Sequence, residues 1–312
     1  MQSQKSSVLE TEPGFHPSGK DYLGDCVAAW ELSLKTKASR QFNSAVTVDA
    51  DYLADHRVAG QVIYPAAGYS VAALATRQFF PSLDRKGLSL TLKNLRFRKT
   101  LPLSKHHSIS LQLCYKPTRR EFTIYSKNQT LPRSVTMHAF GEFGEAGLRS
   151  GQKVEELNEI KFRCQDAVDT DTFYRNLRQS GLDYGPFFQR ISSIRLRRKN
   201  NEVLTKLNAH PSLLKSKDRW AQHITLLDAA FQSLGATLPI EDLGLFVPCQ
   251  VETLRVLNDF DSDLWCYVRL TKFTSRLVSG DITLYNMAGQ PLVEVIGLRC
   301  LKFRGAHDRA SM

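Results

Sequence analysis

The feature that most constrains this chain is a repeated plan, in which an apolar helical segment is followed by a run of strand-like stretches, twice over. Behind Pro65, residues 66–79 include few polar residues and place apolar side chains at helical spacing. That pattern predicts a largely buried helix entered through a proline at its first turn. Alternating, strand-like stretches follow at 88–98, 108–115, 121–126 and 135–143. In the second half an apolar helix over about 222–238 precedes strands at 251–257, 265–271, 279–286 and 291–301. A largely buried helix must be enclosed, and in each half an antiparallel sheet is at hand to enclose it. The expected class is therefore α+β, two helix-in-sheet units in tandem from one duplicated architecture.

Shorter elements fill in around this plan. Residues 26–34 and 44–48 alternate as strands in the first half, and the second half opens with an amphipathic helix at 170–179 that ends near Gly181, then strands at 191–198 and 203–207. The expected boundaries are a disordered or linker-like stretch over 1–14, a first unit over 15–143, a linker over 144–165, a second unit over 166–305 and a tail over 306–312.

Composition narrows the function. With 42% hydrophobic and 23% charged residues in 312, the chain is of ordinary globular make-up. No run approaches the roughly 18 apolar residues of a membrane span, and the polar first residues are no signal peptide. The 6 cysteines are scattered without a C-x-x-C pair, which argues for a reducing, cytoplasmic setting and against a zinc site or disulfide framework. A formal charge of +11 can attract nucleic acid, anionic lipid or an acidic protein, its plainer reading being a solvated face. The basic residues fall in short groups, such as 96–99 and 195–199, without the aromatic interleaving of an RNA-binding sheet, so nucleic acid is disfavoured. No G-x-S-x-G elbow, phosphate-cradling loop or metal-ligand spacing is present.

Two ionisable residues stand out. His56 leaves a strand-like run, Gly60 allows a tight turn, and Pro65 sits where a helix begins. A base would thus stand beside a helix N-terminus with free N–H groups, an arrangement suited to a carbonyl that must hold negative charge. Asp228 lies in an otherwise apolar helix with Gln232 one turn further on the same face. Burial there is expected to raise the aspartate pKa, as a general acid near neutral pH requires. Each has a plainer reading: a structural histidine before a turn, a partly exposed helix residue. Tyr184-Gly185-Pro186 reads by default as a turn whose tyrosine packs on the core, His106 and His107 as a solvated turn, and His223 as a surface or cap residue.

Taken together, His56-x-x-x-Gly60-x-x-x-x-Pro65, Tyr184-Gly185-Pro186-x-Phe188-Gln189 and Asp228-x-x-x-Gln232 resemble the dehydratase domain of polyketide synthases and animal-type fatty acid synthases. The resemblance runs from His16-Pro17 to the last strands and implies a double hotdog, two helix-in-sheet units side by side. It implies a hydro-lyase that removes water from a β-hydroxyacyl thioester carried on the phosphopantetheine arm of an acyl carrier protein. His56 would take the α-proton and Asp228 would protonate the departing hydroxyl. Gln232 and Tyr184 would help hold that hydroxyl, and N–H groups at Gly60 or at the start of the Pro65 helix would face the thioester oxygen. Gly185, Pro186 and Phe188 complete the expected substrate site, and Phe187, Phe188, Leu227, Phe231, Phe246 and Val247 are expected to line its tunnel.

The resemblance calls for no metal or redox cofactor. Its expected partners are an acidic carrier protein and neighbouring synthase domains, with a homodimer common in the family, and neither nucleic acid nor membrane. Having both His56 and Asp228 argues against isomerase-like relatives that lack the acid. Two other readings stay open: a variant that isomerises or cyclises its product or templates the cyclisation of a longer chain, and a noncatalytic acyl-binding module that packs both residues in its core.

Overall fold

The fold is that of a computed structural model, which describes residues 31–36, 39–46, 51–76, 90–104, 109–127, 135–144, 155–197, 199, 201–215, 219–258 and 260–303. In the first half the elements are β1 (Glu31–Thr36), β2 (Ser39–Val46), β3 (His56–Val58), β4 (Gln61–Val62), α1 (Ala66–Thr76), β5 (Leu90–Phe97), β6 (Ile109–Lys116), β7 (Glu121–Lys127) and β8 (Val135–Gly144). The second half contributes α2 (Leu157–Arg163), β9 (Asp166–Val168), α3 (Thr170–Gln179), β10 (Leu182–Tyr184), β11 (Ile191–Arg197), β12 (Glu202–Asn208), α4 (Pro211–Lys215), α5 (Arg219–Ser233), β13 (Phe246–Val256), β14 (Asp263–Thr274), β15 (Leu277–Tyr285) and β16 (Pro291–Lys302).

The strands form one 13-stranded sheet in the order β1-β2-β6-β7-β8-β5-β13-β16-β15-β14-β12-β11-β9. Its first part encloses α1 and its second part α5, the double hotdog that the duplicated pattern leads one to expect. The two parts join where β5 pairs with β13, with Leu92 opposite Leu254 and Leu95 opposite Val251. All four of these side chains are fully buried, so the seam is core and not a surface contact.

Helix α1 is buried from Ala67 to Thr76 and packs against α5. Its small residues (AAGYSVAALAT) let the two helices approach, and at Gly68 a β-carbon would lie 2.6 Å from the Tyr64 ring. Helix α3 is capped by Asp169, whose carboxylate accepts from the Thr172 N–H at 2.8 Å.

A second, 3-stranded sheet, β10-β3-β4, stitches the halves together at the helix ends. Ala59 (φ 49°) and Gly60 (φ 79°) form the tight turn between β3 and β4, the left-handed pair that a two-residue hairpin requires.

The structure departs from the sequence expectation in places. Residues ahead of His56 form a 3-10 turn, Asp51–Asp55, and His56 opens a strand where a strand was expected to end. Adjacent Tyr52 and Leu53 are both buried, which a turn permits and a half-buried strand does not. Helix α5 begins and ends earlier than expected, giving way to a short 3-10 turn at Gly235–Thr237. Within the stretch read as a linker, α2 docks on the second part of the 13-stranded sheet, on the side away from α5: Leu157, Ile160 and Cys164 pack with Leu204, Trp265, Tyr267 and Tyr285. Arg163 donates to Glu202 at 2.5 Å and to the Tyr267 hydroxyl at 2.9 Å, tying α2 down. The stretches 1–14 and 145–153, the beginning of the strand expected at 26–34, His16-Pro17, residues 47–48 and 77–79, and His106 with His107 lie outside the described residues.

Candidate active site

The His56 ring is held by two aromatic neighbours and through one nitrogen. Across the β3–β4 hairpin its Nδ1 donates to the Ile63 carbonyl at 2.7 Å, so in the neutral ring Nε2 is the acceptor nitrogen. Phe188 and Tyr184 meet the ring edge-on, with centroids 5.0 and 5.4 Å away. Asp228 comes from α5, in the other half. Its Oδ1 lies 3.6 Å from His56 Nε2, longer than a hydrogen bond and close enough for one bound molecule to touch both groups. Oδ2 accepts from Gln232 Nε2 at 2.8 Å, the one-turn spacing at work. The same amide nitrogen donates to the Phe188 carbonyl at 3.2 Å, while Gln232 Oε1 is buried with no partner in the protein. His56, Asp228 and Gln232 are 6, 4 and 7% exposed, respectively.

The Tyr184-Gly185-Pro186 turn is built onto this pair. Tyr184 lies directly opposite His56 in the β10–β3 register. Asp55, which carries no sequence signal of its own, clamps the turn at two points: its carbonyl accepts from the Gly185 N–H and its carboxylate from the Phe187 N–H, each at 2.8 Å. Gln189 then donates its side-chain amide to the Tyr184 carbonyl at 2.7 Å. Burial, with the Asp228 carboxylate nearby, pushes the Tyr184 phenol well above its ordinary pKa, so it stays a neutral donor.

His56, Tyr184, Asp228 and Gln232 all line one cavity of about 520 Å³. Phe231, Phe246 and Val247 also line it, as expected; Phe187, Phe188 and Leu227 do not. Phe187 turns to pack on His210, 4.2 Å between ring centres. Phe188 stands behind His56, and Leu227, one helical step from Asp228, points into the core. Gly60 is exposed at the hairpin tip, Pro65 is buried just ahead of α1, and Gly185 and Pro186 belong to the turn and not to the cavity wall.

Several lining residues carried no sequence signal. Leu177, Leu182, Leu234, Leu238 and Val278 form an apolar wall from the second half. At the other end, the exposed side chains of Arg98, Lys99, Thr100, Lys302 and Phe303 surround the mouth. Cys249 and Cys300 also reach the cavity, and burial pushes both thiols above their ordinary pKa. Among the described residues no group of three or more His, Cys, Asp or Glu converges as metal ligands would.

A helix-in-sheet duplication of this kind defines a class of protein, and comparison with known proteins shows which one. Residues 152–310 match the family described as polyketide synthase dehydratase N-terminal domain, and residues 29–127 match the polyketide synthase dehydratase domain. The chain belongs to the polyketide synthase dehydratase family. It is 29% identical over 264 residues to a subunit of the phenolphthiocerol/phthiocerol polyketide synthase of Mycobacterium tuberculosis, a match that covers 79% of this chain and 14% of that protein. Polyketide synthase PksM of Bacillus subtilis is 24% identical over 286 residues, 87% of this chain and 6% of that protein. The chain thus spans only a small part of the curated relatives it matches.

In fold it is similar to the dehydratase domain from the CurF module of curacin polyketide synthase, with a TM-score of 0.75 at 23% identity over 88% of this chain and 98% of that one. A trans-AT polyketide synthase dehydratase domain from Brevibacillus brevis gives 0.77 at 22% identity, over 91% and 100%.

Proposed function

We propose that the domain eliminates water from a β-hydroxyacyl thioester presented on the phosphopantetheine arm of an acyl carrier protein, leaving an α,β-unsaturated acyl chain. The observation that carries this reading is the approach of His56 Nε2 to Asp228 Oδ1, 3.6 Å apart on the wall of an otherwise mostly apolar cavity. His56 Nε2 takes the α-proton, and the electron pair of that C–H bond becomes the Cα–Cβ double bond by way of an enolate. The C–O bond to the β-hydroxyl breaks as protonated Asp228 delivers its proton to the oxygen, and water departs. His56 is then protonated and Asp228 ionised, and proton transfer between the two restores the starting state. Gln232 steadies the carboxyl throughout, and the N–H at the start of α1, at Ala66 on the cavity wall, would serve the thioester oxygen.

Two solved curacin relatives whose titles call them inactive mutants carry a His-to-Phe and an Asp-to-Asn replacement, the residue types paired here. This reading assigns the domain no metal or redox cofactor and sets it beside other synthase domains in the cytoplasm.

The test is mass spectrometry of β-hydroxyacyl pantetheine thioesters, in both β-configurations, incubated with the wild type and with His56→Ala. Loss of one water with wild type alone supports the reading. An unchanged mass with a shifted chromatographic retention points instead to isomerisation or cyclisation, and an unmoved peak to an acyl-binding module.

Charge at the mouth leads to a further prediction. Arg98, Lys99 and Lys302 are exposed around it, and among the described residues no carboxylate other than that of Asp228 lines the cavity. Reversing charge in an Arg98→Glu, Lys302→Glu double variant is expected to raise KM for a carrier-borne substrate roughly tenfold. The same change should have little effect on a free pantetheine thioester, and added salt should reproduce it in the wild type. Equal effects on both substrates would remove the carrier from the argument.

A further inference from the structure

We infer that the Tyr69 hydroxyl is a further substrate-binding donor, placed to hold the carbonyl oxygen of the bound thioester while negative charge builds on it. The inference rests on the dehydratase reading above. Tyr69 lines the cavity from the first turn of α1. Its hydroxyl is shielded from solvent and has no hydrogen-bond partner in the protein. A buried hydroxyl without a partner is a cost that phenylalanine, of nearly the same shape, would not incur. A ligand acceptor brought into the cavity would supply the missing bond.

The ring cannot easily swing away. It stacks on His138 at 5.9 Å with planes 7° apart and meets Tyr64 edge-on at 4.9 Å. His138 is itself fixed by Ser126 Oγ at 2.7 Å and the Lys99 carbonyl at 2.8 Å. The donor is thus preorganised, as stabilisation of a developing charge demands. Burial, with Tyr64 adding to it, pushes the phenol well above its ordinary pKa, so the group remains a donor throughout the working pH range.

Position decides which oxygen it meets. Side chains on a helix lean toward its N-terminus, so Tyr69 leans toward the end of α1 where free N–H groups lie. Tyr64, against its ring, follows Ile63, whose carbonyl fixes His56. Phe97, which precedes the exposed Arg98 and Lys99, also packs on the Tyr69 ring, 6.4 Å between centres, and all of these residues line the cavity with His56. Leu177, Leu182, Leu234 and Leu238, from the second half, offer an acyl tail nothing but apolar surface. A substrate arm entering at the mouth brings its thioester, and not its tail, alongside Tyr69.

The test is Tyr69→Phe in the full chain. With a β-hydroxyacyl pantetheine thioester, kcat is expected to fall roughly ten- to hundredfold with KM within about twofold, since the bond strengthens in the transition state. The thermal midpoint should equal or exceed that of the wild type. Unchanged kcat with equal or higher stability would make the hydroxyl a structural remnant and overturn the inference. A second readout needs only binding: by infrared difference spectroscopy, the thioester carbonyl stretch of a bound enoyl-pantetheine should lie lower in the wild type than in Tyr69→Phe. Equal frequencies would overturn the inference as well. Absence of turnover in the wild type would instead sink the dehydratase reading, so the two failures are told apart.

Discussion

Asp228→Asn is expected to leave a folded protein that dehydrates its substrate about 10²–10³-fold more slowly, and His56→Ala one slowed by roughly 10³-fold. The asparagine keeps the size of the side chain and an oxygen to accept from Gln232 Nε2, so the 2.8 Å bond that orients the group survives. What is lost is a proton that can be given to a leaving hydroxyl. Removing the imidazole takes away the acceptor nitrogen facing Asp228 and leaves the Ile63 carbonyl without its 2.7 Å partner, which should also cost about 1 kcal/mol of stability. Because the two residues act on one substrate as a unit, the double variant should be scarcely slower than His56→Ala alone. Additive losses, measured by single-turnover mass spectrometry, would mean that the residues do not serve the same step.

Gly185→Ala carries the largest expected effect on stability. A β-carbon at that position would stand 2.3 Å from the Asp55 carboxyl carbon. The carboxylate has no easy retreat, because it holds the Phe187 N–H at 2.8 Å while the Asp55 carbonyl holds the Gly185 N–H at the same distance. Relief means breaking one of these bonds or moving the turn, a cost of about 2–4 kcal/mol. Tyr184, the preceding residue, sits opposite His56 in the small sheet, so turnover should fall with stability. Calorimetry on a double-mutant cycle with Asp55→Ala checks the cause: if the clash is responsible, the second substitution recovers part of the loss. Strict additivity would place the damage elsewhere.

Long, periodic elements were readable in the amino-acid pattern. The span 170–179 emerged as helix α3 with the same bounds, and 121–126, 135–143 and 291–301 each emerged as strands within a residue of their limits. Elements too short to show a period were not readable. Strands β3, β4 and β10 hold three residues or fewer, yet they bring Tyr184 to His56. Helix α2 buries only Leu157 and Ile160 among charged neighbours, which resembles a linker until the outer sheet face is known.

In the site, motif spacing pointed to His56, Asp228, Tyr184 and Gln232, whereas Asp55 and Tyr69 stayed hidden. An aspartate ahead of a turn looks solvated, and a tyrosine in an apolar helix looks like core. The tunnel wall was half legible, since an apolar residue beside a motif does not reveal which way it faces: Phe187 and Leu227 point elsewhere.

The seam between β5 and β13 bears on how a substrate gets in. Many clefts between two halves of a chain open and shut like a jaw, because the halves meet through side chains that slide. Here the halves share a hydrogen-bonded ladder from Arg96 opposite Gln250 to Leu90 opposite Val256, and parting them would tear a sheet through its middle. The passage to His56 and Asp228 is therefore a fixed bore. On the dehydratase proposal, a cargo would be threaded into it on a thin, flexible stem and withdrawn the same way, with the width of that bore, not a parting of the halves, setting which chains are admitted.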